Sequence, residues 1–248
     1  MTRPAPSADP RELAKFDVAP ADWWDPEGPM APLHKMNPAR IAFIREAAER
    51  AFGQAPPDRP PLAGRRVLDV GCGGGILAEP LARLGGTVTG IDLVARALHV
   101  ARRHAAEEGL EVAYRLEPAE ALAAAGERFD LVVASEVIEH VEEQAGFVAT
   151  LASLTAPGGV LVVTTLNRTR RAYLEAIVGA EYLLGWLPRG THRWRRFVKP
   201  AELAASLRRS GFVVERLAGL GWSPADDSFH LRRDVAVNYL VAARRTGA

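Results

Sequence analysis

The sequence predicts an α/β fold in which helices alternate with the strands of one mostly parallel sheet. Short β-branched runs recur through the middle of the chain, and helical patterns of about 10 to 15 residues separate them, as in βαβ units. The first run, residues 67–70, leads directly into a glycine-rich turn. The 248 residues are 48% hydrophobic and 25% charged, a composition that allows one domain with a large buried core.

Seven apolar runs have the length and composition of buried strands. A helical pattern from about residue 94 to 108, closed by Gly109, is typical of the segments between them. This alternation predicts a Rossmann-like sheet with helices on both faces. The predicted strands cover residues 67–70, 87–91, 112–116, 131–134, 160–165, 212–216 and 237–243.

Two proline-containing motifs predict helix starts ahead of the sheet. Asp9 has the position of an N-cap, with Pro10 at the first helical position and Glu12 able to reach back. Asn37 and Pro38 repeat the signal and open a helix that is predicted to run to about residue 52.

These signals predict a domain organisation with helical lids beside one main domain. The proline-rich linker separates the N-terminal helices from the sheet. We expect a flexible tail over residues 1–8, an N-terminal helical lid over 9–53, a linker over 54–64, and a main domain over 65–248 with a basic, apolar insert at 168–199.

Residues 144–167 contain no charged side chain and are long enough to cross a bilayer. Pro157, Gly158 and Gly159 interrupt the segment, and several threonines lie within it. We therefore interpret it as a helix, a turn and a buried strand.

Composition excludes several classes of protein. A formal net charge of +1, from 31 basic and 30 acidic residues, argues against a generally basic nucleic-acid-binding chain and against an acidic disordered one. A single cysteine, Cys72, rules out an intramolecular disulfide and a cysteine-cluster metal site, and it fits a reducing compartment. The N-terminus lacks the apolar region of a secretory signal.

The glycine-rich turn is the strongest motif for ligand binding. Gly71 and Gly73 follow the first strand, where a backbone without side chains can approach a ligand. Asp92 ends the next strand, where a carboxylate can bind both ribose hydroxyls of a nucleoside. Ile76 stands where a dinucleotide fingerprint requires glycine, which favours a nucleoside without a pyrophosphate, such as S-adenosyl-L-methionine. A turn required only for tight packing, and a dehydrogenase, are the alternatives.

Polar residues after the third and fourth strands extend this site. Glu117 and Glu120 are placed to bracket an adenine, although acidic residues also simply favour a helix N-terminus. Ser135 follows the fourth strand, so its backbone is expected to face the cofactor.

An acidic and histidine-containing segment follows directly. If it turns helically, Glu136, Glu139 and His140 share one face and could hold a divalent cation. Alternatively, His140 could act alone as a general base, which methyl transfer to a phenol needs because a phenol has a pKa of about 10. The plain alternative is a segment that binds no metal.

In these and further motifs the chain resembles the ubiquinone-biosynthesis O-methyltransferases, over residues 16–244. The glycine loop alone indicates only a methyltransferase, and the other motifs narrow the family. The stretches that carry the resemblance are Trp23-Trp24-Asp25, Leu33-His34, Asn37-Pro38-Ala39-Arg40, residues 69–75, 136–140, 165–168, 178–182, 190–192 and 197–202, and Asn238-Tyr239.

The resemblance implies a class I S-adenosylmethionine-dependent methyltransferase that acts on polyprenylated phenol and quinol intermediates, in both O-methylation steps. It implies cofactor contacts at Arg40, Gly71, Asp92 and Ser135. It also implies a site for Mg²⁺ or another divalent cation at Glu136, Glu139 and His140.

The insert predicts a local anionic partner. Residues 168–199 carry eight basic and two acidic side chains, a local charge of +6 that leaves −5 for the rest of the chain. An apolar stretch lies between the basic clusters, a pattern typical of a helix at a membrane surface. We expect a bacterial cytoplasmic protein that is peripheral at the inner membrane, with a ubiquinone-biosynthesis complex as a further candidate partner. The alternative is a helical cap with solvated arginines.

Two other classes of function fit the sequence less well. An RNA or protein methyltransferase is disfavoured because residues 136–140 replace the amino-group motif expected after the fourth strand. A non-catalytic membrane scaffold is disfavoured by the intact glycine loop and Asp92.

Overall fold

The computed structural model describes residues 22–175 and 193–247. The predicted tail, the helix start at Asp9 and the part of the insert at 176–192 lie outside these residues. In the described part, eight strands form one sheet in the order β3-β2-β1-β4-β5-β8-β6-β7. The strands are β1 (Arg66–Val70), β2 (Thr87–Asp92), β3 (Val112–Leu116), β4 (Phe129–Ser135), β5 (Thr155–Leu166), β6 (Phe212–Ser223), β7 (Ser228–Arg232) and β8 (Asn238–Arg245).

The helices cover the two faces of this sheet. Two 3₁₀ turns, Ile138–His140 and Trp194–Arg196, lie in the connections. The helices are α1 (Ala31–Phe52), α2 (Ala78–Arg83), α3 (Ala95–Glu107), α4 (Ala119–Ala124), α5 (Gln144–Leu154), the short α6 (Arg170–Ala172) and α7 (Pro200–Arg209).

The parallel half of the sheet explains the apolar runs in the sequence. β1 pairs in parallel with β2 and β4, so that Val67 lies beside Val88 on one side and Leu131 on the other. These strands are buried on both faces, which requires nearly continuous hydrophobic residues. Helices α1, α2 and α3 pack on one face and α4, α5 and α7 on the other. The predicted α/β class and Rossmann-like sheet are confirmed.

The far end of the sheet is antiparallel and contains one strand more than predicted. β8 lies between β5 and β6 and runs antiparallel to both. The additional strand is β7, which pairs with β6 as a hairpin at the sheet edge and packs against α1. The prediction of seven strands is therefore one short. The missed strand, SFHLR, is five residues long and includes polar residues, so no apolar run marks it.

Helix α1 begins earlier than predicted. It starts at Ala31, with a proline in its first turn, and Pro38 lies inside it. Pro38 was a misleading start signal, because a proline in a helix interior removes a backbone hydrogen bond and crowds the preceding turn, which favours a helix start when it is considered in isolation. Phe43 and Ile44 are fully buried against the sheet, so packing of this face stabilises the helix through the proline. The second half of α1 is thus a layer of the core.

The charge-free segment folds as a helix followed by a strand. α5 ends at Leu154 and β5 begins at Thr155. Gly158, with φ of 73°, lies in a bulge within β5 where the register with β4 shifts. The predicted helix and buried strand are confirmed, and the predicted turn is this bulge. No helix in the described ranges is long and apolar enough to cross a membrane.

Candidate active site

The glycine-rich turn joins β1 to α2 and lies against the end of β2. The N–H of Gly71 donates to the Ile91 carbonyl at 2.8 Å. Gly71 and Gly73 have φ of 73° and 51°, in the left-handed region that favours glycine. A Cβ at Gly71 would lie 2.6 Å from Val137 Cγ2, and one at Gly73 would lie 2.5 Å from the Trp23 ring. Contacts with Val137 and Trp23 therefore explain why glycine is required at both positions, and the evidence for ligand binding comes from the neighbouring residues.

Asp92, the last residue of β2, binds the glycine loop directly. Its Oδ2 accepts a hydrogen bond from the Gly73 N–H at 2.9 Å, and its Oδ1 accepts one from the Val94 N–H at 2.8 Å. Burial raises the pKa of Asp92, and these backbone hydrogen bonds oppose the rise. Carboxylate oxygens can accept further hydrogen bonds, so the arrangement suits two ribose hydroxyls as donors.

Asp69 is a buried acid that the sequence reasoning did not single out. It lies in β1, is 1% exposed, and its Oδ2 has no hydrogen-bond partner among the described residues. Burial raises the pKa of Asp69 to about 7, the charge of Asp92 adds to the rise, and Arg40 opposes it. The signal in the sequence was a carboxylate inside the apolar run Val67-Leu68-Asp69-Val70.

Arg40 reaches this acidic region from α1. Its guanidinium is buried, and Nη2 lies 3.4 Å from Glu136 Oε1. Burial lowers the pKa of Arg40, and the charges of Glu136, Glu139 and Asp69 raise it again. Arginine keeps its proton even so. The site therefore holds one buried cation between acids of β1 and of the segment after β4.

Glu136 follows β4 with a backbone conformation that is unusual for its residue type. Its φ is 56°, in the left-handed region that side chains other than glycine rarely adopt. The Glu136 N–H donates to the Thr164 carbonyl at 3.0 Å, and the Thr164 hydroxyl donates to Glu136 Oε1 at 2.7 Å. Asn238 Nδ2 lies 3.4 Å from both carboxylate oxygens. Residues from β5 and β8 thus hold the carboxylate beside Arg40.

Glu139 is the second acid of this pair. It is 3% exposed, and its Oε2 accepts a hydrogen bond from the Thr165 hydroxyl at 2.8 Å. Burial raises the pKa of Glu139 well above its ordinary value, and the neighbouring Glu136 charge adds to the rise. Thr164, Thr165 and Asn238 position the two acids, and the sequence reasoning gave none of them that role.

The structure does not place Glu136, Glu139 and His140 on one helical face. Only Ile138–His140 turns helically, as a 3₁₀ turn, and Glu136 lies outside it. The shared face was expected only if the whole segment turned helically, and it does not form because residues three and four apart share a face only in a continuous α-helix. Across residues 22–175 and 193–247, no group of three His, Cys, Asp or Glu side chains is arranged to hold a metal ion.

The two remaining predicted contacts lie at neighbouring strand ends. Glu117 follows β3 and pairs with Arg115 at 2.9 Å, so its carboxylate is already bound within the chain. Ser135 ends β4, and its hydroxyl is 2.9 Å from the Thr164 hydroxyl. β3, β2, β1 and β4 are adjacent parallel strands, so Glu117, Asp92, Gly71 and Ser135 follow one edge of the sheet.

Comparison with known proteins decides the family. A family model described as a methyltransferase domain matches residues 34–217. A ubiquinone biosynthesis O-methyltransferase from Methylobacterium sp. (strain 4-46) is 51% identical over 243 residues, covering 98% of each chain. A protein of the same name from Azorhizobium caulinodans is 48% identical over 236 residues, covering 95% of this chain and 93% of its own.

The chain belongs to the ubiquinone biosynthesis O-methyltransferase family.

Solved structures agree with this assignment at the level of the fold. The magnesium protoporphyrin IX methyltransferase of Synechocystis PCC 6803, determined with bound SAH, superposes with a TM-score of 0.62 at 21% identity. That match covers 95% of this chain and 94% of the other. It supports the class I methyltransferase fold.

Membership in the ubiquinone biosynthesis O-methyltransferase family confirms the resemblance seen in the motifs and the expected enzyme class, S-adenosylmethionine-dependent O-methylation in ubiquinone biosynthesis. The roles predicted for individual residues are not tested by it. Two of the motifs that carried the resemblance, at 178–182 and 190–192, lie outside the described residues.

Proposed function

We propose that this chain methylates ring hydroxyls of polyprenylated phenol and catechol intermediates, in both O-methylation steps of ubiquinone biosynthesis. The names of the relatives support the substrate class. The observation that carries the proposal is the buried Arg40–Glu136–Glu139 group, because burying a cation and two acids costs stability and such groups with shifted pKa values cluster at functional sites.

For the cofactor, we propose contacts at Arg40, Gly71, Gly73, Asp92, Glu117 and Ser135. S-adenosylmethionine supplies an electrophilic methyl group on a sulfonium, which is transferred to the substrate oxygen. Asp92 supports this placement because its carboxylate binds the loop and ends β2. Arg40 is suited to an anionic carboxylate of the cofactor, since its Nε has no hydrogen-bond partner among the described residues.

We assign proton removal to His140. A phenol oxygen is a good nucleophile only as its anion, and an imidazole takes up a proton near neutral pH. His140 is the last residue of the 3₁₀ turn and is partly exposed, and its carbonyl accepts a hydrogen bond from Arg196 Nη1 at 3.4 Å. The phenolic proton passes to the imidazole as the oxygen attacks, and positioning of the two reactants supplies much of the acceleration.

The His140 proposal is tested by the pH dependence of methyl transfer. His140→Ala should lower kcat about 10²- to 10⁴-fold at neutral pH. The loss should shrink as the pH approaches the phenol pKa of about 10, where the substrate ionises by itself. The exposed His99→Ala variant is the matched control. A uniform loss at every pH would contradict a role as base.

We further propose that a divalent cation, Mg²⁺ or a similar ion, is held by Glu136 and Glu139. The pair fits as oxygen ligands because the carboxyl groups are neighbours, and a cation would offset the burial and the Glu136 charge that together raise the pKa of Glu139. His140, the third proposed ligand, is not grouped with them in the described structure. When bound, such an ion would act as a Lewis acid on the substrate oxygen.

The cation proposal is tested by binding as well as by activity. Calorimetric titration of Mg²⁺ into the enzyme should show a site that is lost in Glu136→Gln and Glu139→Gln. Glu142→Gln, at an exposed acid in the same segment, should keep it. Equal titrations for all variants would remove the cation from the proposal.

We also propose peripheral contact with an anionic membrane surface through residues 168–199. Within the described part, Tyr173 is 46% and Leu174 is 59% exposed beside the exposed Arg170. Arg168 pairs with Glu202, and Arg171 with Asp234, so these two arginines are partly used within the chain. Membership in a ubiquinone-biosynthesis complex is part of the same proposal.

The membrane proposal calls for charge reversal at exposed positions. Arg170→Glu combined with Arg195→Glu should reduce co-sedimentation with vesicles that contain anionic lipid, since each basic residue near the surface contributes about 1 kcal/mol. Arg50→Glu with Arg59→Glu, also exposed, makes the same change in net charge away from the insert. Equal reductions in both double variants would leave the insert as a cap.

The whole proposal is tested by methyl transfer from labelled S-adenosylmethionine to a short-chain catechol quinol, with and without chelator. We expect label in the ring methoxy group. Transfer to RNA or protein but not to the quinol would refute the proposed substrate, and cofactor binding without any transfer would favour a scaffold.

A further inference from the structure

A stack of two rings lies beside the glycine loop, outside the residues assigned to the site above. The centroids of the Trp24 and His104 rings are 3.6 Å apart, and the ring planes differ by 3°. Trp24 Nε1–H donates a hydrogen bond to the Gly74 carbonyl at 3.0 Å. The stack therefore connects α3, which carries His104, with the loop between β1 and α2.

A hydrogen bond to a buried carboxylate also fixes the position of the His104 ring. Its Nδ1 lies 2.8 Å from Oε1 of Glu79 in α2, and the Glu79 side chain is 1% exposed. Burial raises the pKa of Glu79, and the hydrogen bond from His104 opposes that rise. A buried carboxylate fixes the imidazole plane, as it does for histidines that must keep one orientation. The plane in turn fixes the Trp24 ring stacked on it.

The segment that carries Trp24 is joined to the glycine loop at further points. Asn37 Nδ2 donates to the Ile76 carbonyl at 2.6 Å, and His34 Nε2 lies 2.8 Å from the Trp23 carbonyl. The Trp23 ring covers Gly73, as its close approach to that glycine shows. The loop is thus held from outside by residues 23–37 as well as from inside by Asp92.

We propose that His104 is a positioning residue for cofactor binding. It orients Trp24, Trp24 binds the Gly74 carbonyl, and the loop conformation that presents its backbone N–H groups is stabilised. Neither ring has to touch the cofactor. The inference rests on the proposed placement of the cofactor at the glycine loop. It adds His104, a residue of α3 outside the glycine-rich motif, to the residues that support cofactor binding.

Binding of S-adenosylhomocysteine, measured by calorimetry, tests this inference. An aromatic stack of this kind contributes enough for His104→Ala to raise the Kd about two- to tenfold. His104→Phe keeps a flat ring against Trp24 but loses the hydrogen bond to Glu79, so its Kd should lie between those of the parent and His104→Ala. Trp24→Phe should raise the Kd, because the ring remains but the N–H donor is lost. His99→Ala, an exposed histidine of the same helix, should leave the Kd unchanged.

Two further readouts separate positioning from a general loss of structure. In His104→Ala the KM for S-adenosylmethionine should rise by the same factor as the Kd, with kcat within about twofold of the parent. Hydrogen exchange should increase at residues 71–76 and not in β4 or β5. If His104→Ala does not fold, His104→Phe and Trp24→Phe still give the decisive comparison.

The inference is overturned if His104→Ala binds as tightly as the parent, if His104→Phe restores nothing, or if Trp24→Phe binds normally. Its failure is distinguishable from failure of the proposed cofactor site. Asp92→Ala, measured in parallel, tests that site directly, and normal binding by this variant would remove the cofactor from the loop whatever His104 does.

Discussion

Replacing Asp69 by asparagine should change how the stability of the protein depends on pH. The folded carboxyl has a pKa of about 7, whereas its ordinary value is 3.8. Between these values the unfolded chain releases this proton and the folded protein keeps it, so the folded state loses stability as pH rises. At about 1.36 kcal/mol per pKa unit, ionised Asp69 destabilises the folded state by roughly 4 kcal/mol above pH 7.

The asparagine does not titrate, so any cost of its amide group is the same at every pH. The difference in free energy of unfolding, variant minus parent, should therefore increase by about 2 to 3 kcal/mol from pH 5 to pH 8. Urea denaturation at several pH values measures it. Asp58→Asn, at an exposed position, is the control and should give a difference that is independent of pH. A constant difference for Asp69→Asn would refute the argument that its burial raises the pKa.

Three further changes test other parts of the site. Asp92→Ala removes the acceptor of two backbone N–H groups, so it should lower stability by about 1 to 3 kcal/mol and S-adenosylhomocysteine affinity at least tenfold; unchanged calorimetric binding would contradict the ribose role. Gly73→Ala should lower the Tm through its positive φ and the Trp23 ring, and an unchanged Tm would show that the ring moves freely. Thr165→Val removes the hydroxyl donor of Glu139 and should destabilise by about 1 to 2 kcal/mol, with a loss that grows as the pH rises through the raised pKa of Glu139, because the ionised carboxylate needs the donor; equal unfolding curves would contradict this.

The sequence predicts the parallel half of the sheet well because strong local signals coincide there. In β1, four of five residues are buried. Gly71 and Gly73 follow the strand with positive φ, a backbone conformation that is strained for most other residue types. The sequence also predicts Asp92 as the last residue of the second strand, and the structure confirms that β2 ends there. Apolar runs, glycines and strand-ending acids are all visible within a few residues of one another.

The remaining features depend on distant parts of the chain. Pro38 is a start signal in isolation, and only the packing of Phe43 on the sheet shows that it lies within a helix. The backbone of Glu136 adopts the left-handed conformation because Thr164, in β5, hydrogen-bonds both its N–H and its carboxylate. Asp69 acquires its environment from Asp92 and Arg40, which come from two other elements. No local pattern contains these partners.

The position of β8 has a consequence for the order in which this protein can assemble. β8 separates β5 from β6, and its register pairs Val160 with Arg244, residues far apart in the sequence. Bringing such distant residues together costs chain entropy before the strand pairing can offset it, and this slows folding. During synthesis, the β6–β7 hairpin leaves the ribosome before β8 and has no edge to join until β8 follows. The exposed edge of β5 is then a point at which a nascent chain is vulnerable to aggregation.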